Sequence, residues 1–275
     1  MDETRDLWDA WSDAFQGAWN ADTADELPPA DVHYGPGWPA DERLDHLPEF
    51  EGRAVVELGC GGGQASVGFA RRGAGRVAGV DFSTRQLEHA RRLAGLYGVD
   101  VEFLAGDVTD LPLDGDGFDL AFSSWVFQMV GDLEPCFAEA ARVLRDGGTL
   151  FFAIPHPFYE VFDPETGEIA RSYFDSTPER KSIGDLDPDM VVFHHRVAEI
   201  HRALVDAGFT VERLFEPGSA DPDDYEEQWS QKPELMAQVP PTLAVRAVAR
   251  GDRNRTGTKS TDGPNRSGAT TASGV

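Results

Sequence analysis

The amino-acid sequence predicts an α/β protein with a doubly wound, mostly parallel sheet and helices on both faces. Two observations predict this fold. Short apolar runs alternate with helical patterns from residue 53 onward, which is typical of parallel strands joined by crossover helices. The apolar run 55–58 also leads directly into the glycine-rich turn 59–63, so a buried strand must turn tightly into the helix that follows. A chain of 275 residues can form one core of this class with attachments.

The first elements precede the sheet. Aromatic residues recur at spacings of three and four over residues 3–20, which predicts an amphipathic helix whose aromatic stripe faces inward. The Pro- and Gly-rich segment 27–39 predicts an ordered loop or a lid. We therefore assign residues 1–52 to an N-terminal helix and lid segment.

The main domain is assigned to residues 53–250. Its segment 155–192 has little periodic pattern, and we interpret it as a substrate-side insertion, because long unstructured connections are usually functional or mobile. Residues 251–275 lack aromatic and almost all aliphatic side chains, which predicts a disordered tail. Helices are predicted near 64–73, 83–97, 132–145 and 197–208, and a strand at 210–215.

The glycine-rich turn lies where ligands bind in open α/β sheets, between a strand end and a helix start. Asp81 ends the next apolar run, roughly 20 residues later, where an acidic side chain can accept hydrogen bonds from two ribose hydroxyls. A dinucleotide fingerprint needs glycine at its sixth position, which is Gln64 when counted from Gly59. Glu57 also places a carboxylate where a pyrophosphate would be repelled. A cationic ligand without phosphates therefore suits this turn better than a nicotinamide dinucleotide.

The pattern Glu-x-Gly-x-Gly-x-Gly over 57–63 resembles that of the class I S-adenosylmethionine-dependent methyltransferases. Further segments match this family in order, and the resemblance covers roughly residues 53 to 155. It implies a Rossmann-like, seven-stranded sheet, S-adenosylmethionine as cofactor, and an enzyme that transfers a methyl group. The matching strands are 101–108, 118–123, 144–152 and a final antiparallel strand, 242–249.

The resemblance also implies the cofactor-binding residues. Asp107 is expected to contact the adenine amino group, with the Val108 backbone beside it, and the segment from Ser123 to Trp125 to lie near the methionine portion. The full predicted set is Glu57, Gly59, Cys60, Gly61, Gly63, Asp81, Phe82, Asp107, Val108, Ser123 and Trp125.

The acceptor is predicted to be a small molecule, and the sequence leaves open which of its atoms is methylated. Predicted substrate-binding residues are His33, Tyr34, His156 and Tyr159. His156 follows the fifth strand and is the predicted catalytic residue, as a base or a substrate contact; the alternative is a structural histidine between two prolines. His33 and the pair at 194–195 are further candidates. Methyl transfer needs mainly alignment, and a base helps only when the acceptor must lose a proton.

Two other functions stay open. The chain could be a regulatory protein that binds S-adenosylmethionine without turnover, or an NAD-dependent oxidoreductase, which Glu57 and Gln64 disfavour. No His/Cys cluster has metal-ligand spacing, so no metal is predicted.

The composition is strongly acidic, with 49 acidic against 24 basic residues and a net charge of -25. Such self-repulsion is screened at molar salt, where the Debye length falls to about 3 Å. We therefore predict a salt-adapted, haloarchaeal-type cytoplasmic protein, for which nucleic acid is an unlikely partner. Two cysteines suit a reducing compartment, and no apolar run approaches a membrane span. The oligomeric state stays open.

Overall fold

A computed structural model describes residues 2–19, 30–38, 46–183, 186–225 and 232–251. Seven strands form one sheet in the order β3-β2-β1-β4-β5-β9-β8, and β6 pairs with β7 in a separate hairpin. β9 is antiparallel to both β5 and β8, whereas the other pairs of the large sheet are parallel. The predicted fold is thereby confirmed. The strands are β1 Ala54–Leu58, β2 Arg76–Asp81, β3 Glu102–Ala105, β4 Phe118–Ser124, β5 Leu144–Pro155, β6 Glu179–Ile183, β7 Leu186–Val192, β8 Phe209–Phe215 and β9 Thr242–Ala249.

Helices cover both faces of the large sheet. Successive residues of β5 belong to opposite layers: Phe151 packs with Phe122 on one face, and Phe152 packs with Phe127 and Phe137 on the other. This alternation buries both faces, as parallel sheets require. The helices are α1 Asp2–Trp19, α2 Gln64–Arg71, α3 Thr84–Tyr97, α4 Leu133–Val143, α5 Val197–Asp206 and the short α6 Pro233–Met236.

The hairpin of β6 and β7 lies inside the segment 155–192, where the sequence suggested no regular structure. β6 is mostly charged, and the apolar residues of β7 are interrupted by Asp187, Pro188 and Asp189, so neither strand carries the apolar alternation that would indicate a sheet. α1 packs against α3 and β7, and thereby reaches across the carboxyl edge of the large sheet. The hairpin and α1 together enclose this edge.

Some predictions fall outside the described residues. These are the predicted tail except for Gly251, and residues 27–29 and 39 of the predicted lid. The division of the chain at residues 52, 155–192 and 250 stays a prediction. No helix in the described ranges is long and apolar enough to cross a membrane.

Candidate active site

A single cavity of about 1220 Å³ runs along the carboxyl ends of β1 to β5. This volume exceeds the roughly 300–1,000 Å³ of typical small-molecule pockets, so the cavity has room for two ligands side by side. α1 and the β6–β7 hairpin form part of its wall. The wall contributed by α1 and the hairpin comprises Thr4, Trp8, Trp11, Phe15, Gln16, Glu179, Lys181, Met190 and Val192.

The glycine-rich turn forms one end of the cavity. Gly59 has a φ of +72°, and a Cβ added there would lie 2.4 Å from Cγ2 of Val126. The backbone nitrogens of Gly59 and Cys60 both donate to the carbonyl of Val80, at 2.8 and 3.0 Å. These bonds hold the turn against β2 and leave its backbone facing the cavity. Only glycine satisfies both the dihedral angle and the close approach at position 59.

Asp81 connects the turn to the end of β2. Its two carboxylate oxygens accept hydrogen bonds from the backbone nitrogens of Gly61, at 2.8 Å, and Ser83, at 2.9 Å. Each oxygen keeps a further lone pair on the cavity side, as contacts with ribose hydroxyls require. Burial raises the pKa of Asp81 to about 6.

Glu57 takes the place of an N-cap side chain at the start of α2. Gly63 precedes the helix and has no side chain, and Oε2 of Glu57 instead accepts from the backbone nitrogen and the hydroxyl of Ser66, at 2.7 and 2.5 Å. Burial raises the pKa of Glu57 to about 8, with a smaller contribution from the charge of Asp81. Asp81, whose pKa stays below 7, supplies negative charge at this end, which disfavours phosphates and favours a cationic ligand. The site therefore fits the sulfonium and amine of S-adenosylmethionine.

Most of the predicted cofactor-binding residues line this cavity. They are Glu57, Gly59, Cys60, Gly61, Asp81, Phe82, Asp107, Val108 and Trp125. Gly63 and Ser123 are not in the wall, which instead contains their neighbours Gly62 and Ser124. The hydroxyl of Ser123 donates to the carbonyl of Leu58 at 2.9 Å, because alternation along β4 turns this side chain into the sheet.

The backbone after β4 is strained where it meets the cavity. Trp125 has a φ of +58°, which is unusual for a residue other than glycine, and its nitrogen donates to the carbonyl of Ala153 at 2.9 Å. Strained residues of this kind cluster at functional sites. Trp125 lies in the cavity wall, and its unusual backbone conformation directs the chain from β4 past the glycine-rich turn.

Of the predicted substrate-binding residues, only His33 lines the cavity. Its Nδ1 accepts from the backbone nitrogen of Gly35 at 3.4 Å. Tyr34 is fully buried outside the cavity wall, where its ring packs against Trp38 and Phe151. Tyr159 is buried in a separate cluster with Leu235 and Met236. Tyr34 and Tyr159 are therefore not brought to the cavity.

His156 is also absent from the cavity wall, although Pro155 and Pro157 on either side line it. Its ring is 4% exposed, and both nitrogens are occupied. Nδ1 accepts from the backbone nitrogen of Phe158 at 3.0 Å, and Nε2 donates to Glu216 at 2.9 Å. This geometry leaves no ring nitrogen for an acceptor, so it does not support the base role predicted for His156.

Of a polar group at the far end of the cavity, the sequence singles out only the histidine pair at 194–195. This group lies far along the chain from the glycine-rich turn and from the segment after β3, and no motif indicates its charged members. It comprises Glu160, Arg171, Glu179, Lys181, His194 and His195. Arg171 pairs with Glu179 at 3.1 Å, and Lys181 pairs with Glu160. Among the described residues, no group of His, Cys, Asp or Glu side chains is arranged to hold a metal ion.

Comparisons with known proteins agree with this geometry. A model of the methyltransferase domain matches residues 56–152. The structure of an S-adenosylmethionine-dependent methyltransferase from Mesorhizobium loti is 29% identical, with a TM-score of 0.60 over 74% of this chain and 93% of that one. Geranyl diphosphate C-methyltransferase from Streptomyces coelicolor shares the fold at 18% identity, with a TM-score of 0.61 over 90% of this chain and 96% of that one.

Among curated relatives, a ubiquinone biosynthesis O-methyltransferase from Chelativorans is 35% identical over 104 residues, or 38% of this chain. This chain spans only 41% of that relative's length. The residues that match the methyltransferase-domain model contain the glycine-rich turn and the carboxyl ends of β1 to β4. Residues 56–152, with the glycine-rich turn and the acidic end of β2, therefore form a methyltransferase domain of the S-adenosylmethionine-dependent type.

Proposed function

We propose that this protein transfers a methyl group from S-adenosylmethionine to a small-molecule acceptor by in-line displacement. One observation carries the proposal: the same cavity is lined by the glycine-rich turn and Asp81 and by residues of α1 and the β6–β7 hairpin. A donor and an acceptor held in one cavity are aligned before they react, and alignment supplies much of the rate.

The residues around the turn have distinct tasks in this proposal. Asp81 accepts hydrogen bonds from the ribose hydroxyls, and Asp107 accepts one from the adenine amino group. Asp107 is held in place by the backbone amide and the hydroxyl of Thr109, at 2.9 and 2.7 Å. Glu57 holds the start of α2 beside the turn through its bonds from Ser66. The cofactor supplies a methyl group already activated by the positive sulfur. α1 excludes water from above through Trp8 and Trp11.

Two considerations support a small acceptor. The cavity is walled by α1 and the hairpin as well as by the sheet edge, and the net charge of -25 disfavours a polyanion such as nucleic acid. The names of the similar proteins also refer to small molecules, geranyl diphosphate in one case and ubiquinone biosynthesis in the other.

Calorimetry tests the cofactor half of the proposal. We expect S-adenosylhomocysteine to bind and NAD not to bind. Asp81→Ala should weaken binding at least tenfold, which is about 1.4 kcal/mol, because the ribose hydroxyls lose a charged acceptor. The matched control is Glu102→Ala at the exposed edge of the sheet, where the ion pair with Arg76 contributes little. Unchanged affinity in Asp81→Ala would remove this residue from the site.

Turnover tests the transfer half. Methyl-tritiated S-adenosylmethionine is incubated with the protein and a small-molecule extract of the cells that make it. We expect the label to appear in a product other than the cofactor. Binding of S-adenosylhomocysteine without any labelled product would favour a regulatory protein that binds the cofactor without turnover.

A further inference from the structure

The segment 193–196, between β7 and α5, lies against the segment 126–131 that follows β4. The backbone nitrogen of Phe193 donates to the carbonyl of Gln128 at 2.7 Å, and Nε2 of His195 lies 2.7 Å from the carbonyl oxygen of Val130. Val126, at the start of the second segment, is the residue against which Gly59 packs. The same short segment therefore shapes the cofactor turn and orients His195.

The bond to Val130 fixes the tautomer of His195. A carbonyl oxygen can only accept, so Nε2 carries the proton, and Nδ1 of the neutral ring carries a lone pair. Within the described ranges, Nδ1 has no hydrogen-bond partner, and it is not among the unpartnered side-chain nitrogens that packing seals from solvent. The ring lies in the cavity wall. His195 thus presents an open basic nitrogen at this site.

Two other histidines lack this property. Nε2 of His194 also faces a carbonyl, that of Tyr173 at 3.0 Å, but its Nδ1 is sealed by packing. His156 has both nitrogens occupied. The tautomer alone therefore does not single out His195; the accessible lone pair does.

Burial lowers the pKa of His195, which keeps the ring neutral and basic at pH 7. The bond to Val130 and the charges of Glu199 and Asp132 oppose this shift only in part. Glu199 is itself paired with Arg196. The other charged or titratable groups near this end of the cavity are His194, Arg171, Glu160, Lys181 and Glu179.

The surroundings of His195 suit an acceptor with an apolar body. The nearby cavity wall is formed by Met129, Val130, Met190, Val192 and Phe193. A neutral amine already has a free lone pair and gains little from a base. A hydroxyl on an unsaturated carbon, as in a phenol, must lose its proton as it reacts, and a neutral imidazole is matched to that task.

We infer that His195 is the general base for methylation of a hydroxyl acceptor, and this inference rests on the proposed function. The acceptor oxygen forms the new O–CH3 bond while the C–S bond breaks, and its electron pair remains on sulfur, which becomes neutral. The hydroxyl proton moves to Nδ1 of His195, and the resulting imidazolium releases it to solvent.

The decisive variant is His195→Gln. The glutamine amide can still donate to Val130, but it offers no basic nitrogen. The matched control is His201→Gln, on the exposed face of α5. With tritiated S-adenosylmethionine and the cell extract, we expect the wild-type product to hold its label as an alkali-stable methyl ether. His195→Gln should react about 100-fold more slowly at pH 7 and recover as the pH rises, because the acceptor then ionises unaided.

Nitrogen NMR of the imidazole gives a readout that does not depend on turnover. We expect Nδ1 of His195 to be unprotonated at pH 8 and its signal to shift when 4-nitrocatechol, as a phenolic probe, is added to the S-adenosylhomocysteine complex. A protonated Nδ1, a label found on nitrogen or carbon, or an unchanged pH profile in His195→Gln would overturn the inference while leaving methyl transfer intact. Binding without any labelled product would instead reject the proposed function itself.

Discussion

At the scale of single residues, Glu57 combines a structural and an electrostatic role. Its carboxyl group caps α2 and is buried beside Asp81, and burial raises its pKa from 4.5 to about 8. Between these two pH values the folded protein holds a proton that the unfolded chain has released. Linkage then requires the ligand-free protein to lose stability as the pH rises across this window.

The expected size is a slope of up to about 1.4 kcal/mol per pH unit in the free energy of unfolding. Urea unfolding between pH 5 and 8 measures it. Glu57→Gln keeps an oxygen that accepts from Ser66 but cannot ionise, so its slope should be flatter than that of the wild type. Parallel curves for the two proteins would show that Glu57 is ionised throughout and that burial does not control its pKa.

At the scale of secondary-structure elements, α1 is fastened to the cofactor turn by one side chain. The amide of Gln16 donates to Gln86 of α3 at 2.8 Å and accepts from Gln64 of α2 at 2.6 Å. A Cβ added to Gly62 would lie 2.3 Å from Oε1 of Gln16, so the amide touches the turn itself. α1 must therefore separate from this contact whenever the cavity opens on that side.

We expect Gln16→Ala to speed dissociation of S-adenosylhomocysteine about tenfold, because lost buried hydrogen bonds of roughly 1–3 kcal/mol loosen the cover. Stopped-flow tryptophan fluorescence, with Trp11 in the cavity wall, follows the release. Asp13→Ala, one turn earlier on α1, removes only the contacts of an exposed carboxylate with Arg85 and His89 and should have little effect. Equal dissociation rates in both variants would mean that α1 does not gate the cofactor.

The secondary-structure elements differ in how well the sequence predicts them. The apolar runs, together with the family resemblance, predicted α2, α3 and the strands of the large sheet to within a few residues. β6 and β7 were not predicted, because β6 is mostly charged and β7 is interrupted by Asp-Pro-Asp, so neither has such a pattern. Within the site, Ser124 lines the cavity and its neighbour Ser123 does not, because successive side chains of a strand point to opposite faces. The partner of His156 is Glu216, 60 residues away along the chain. Such side-chain choices depend on contacts between distant segments, which periodicity does not encode.

At the scale of the whole molecule, the net charge of -25 is the property that links stability to salt concentration. Uniform negative charge destabilises the compact state through self-repulsion. Raising the ionic strength from 0.1 to 1 M shortens the Debye length from about 10 Å to about 3 Å, which removes most repulsion between surface carboxylates. This balance is the physical basis of the proposed adaptation to a salt-rich cytoplasm.

We therefore expect the melting temperature to rise with NaCl, and most steeply below about 1 M, where screening changes fastest. A variant that combines Glu88→Gln, Asp100→Asn and Asp206→Asn neutralises three exposed carboxylates. If repulsion is the cause, this variant should melt above the wild type at 0.1 M NaCl, and the difference should vanish at high salt. If salt acted instead by strengthening the burial of apolar surface, the two proteins would respond in parallel at every concentration, because their cores are identical.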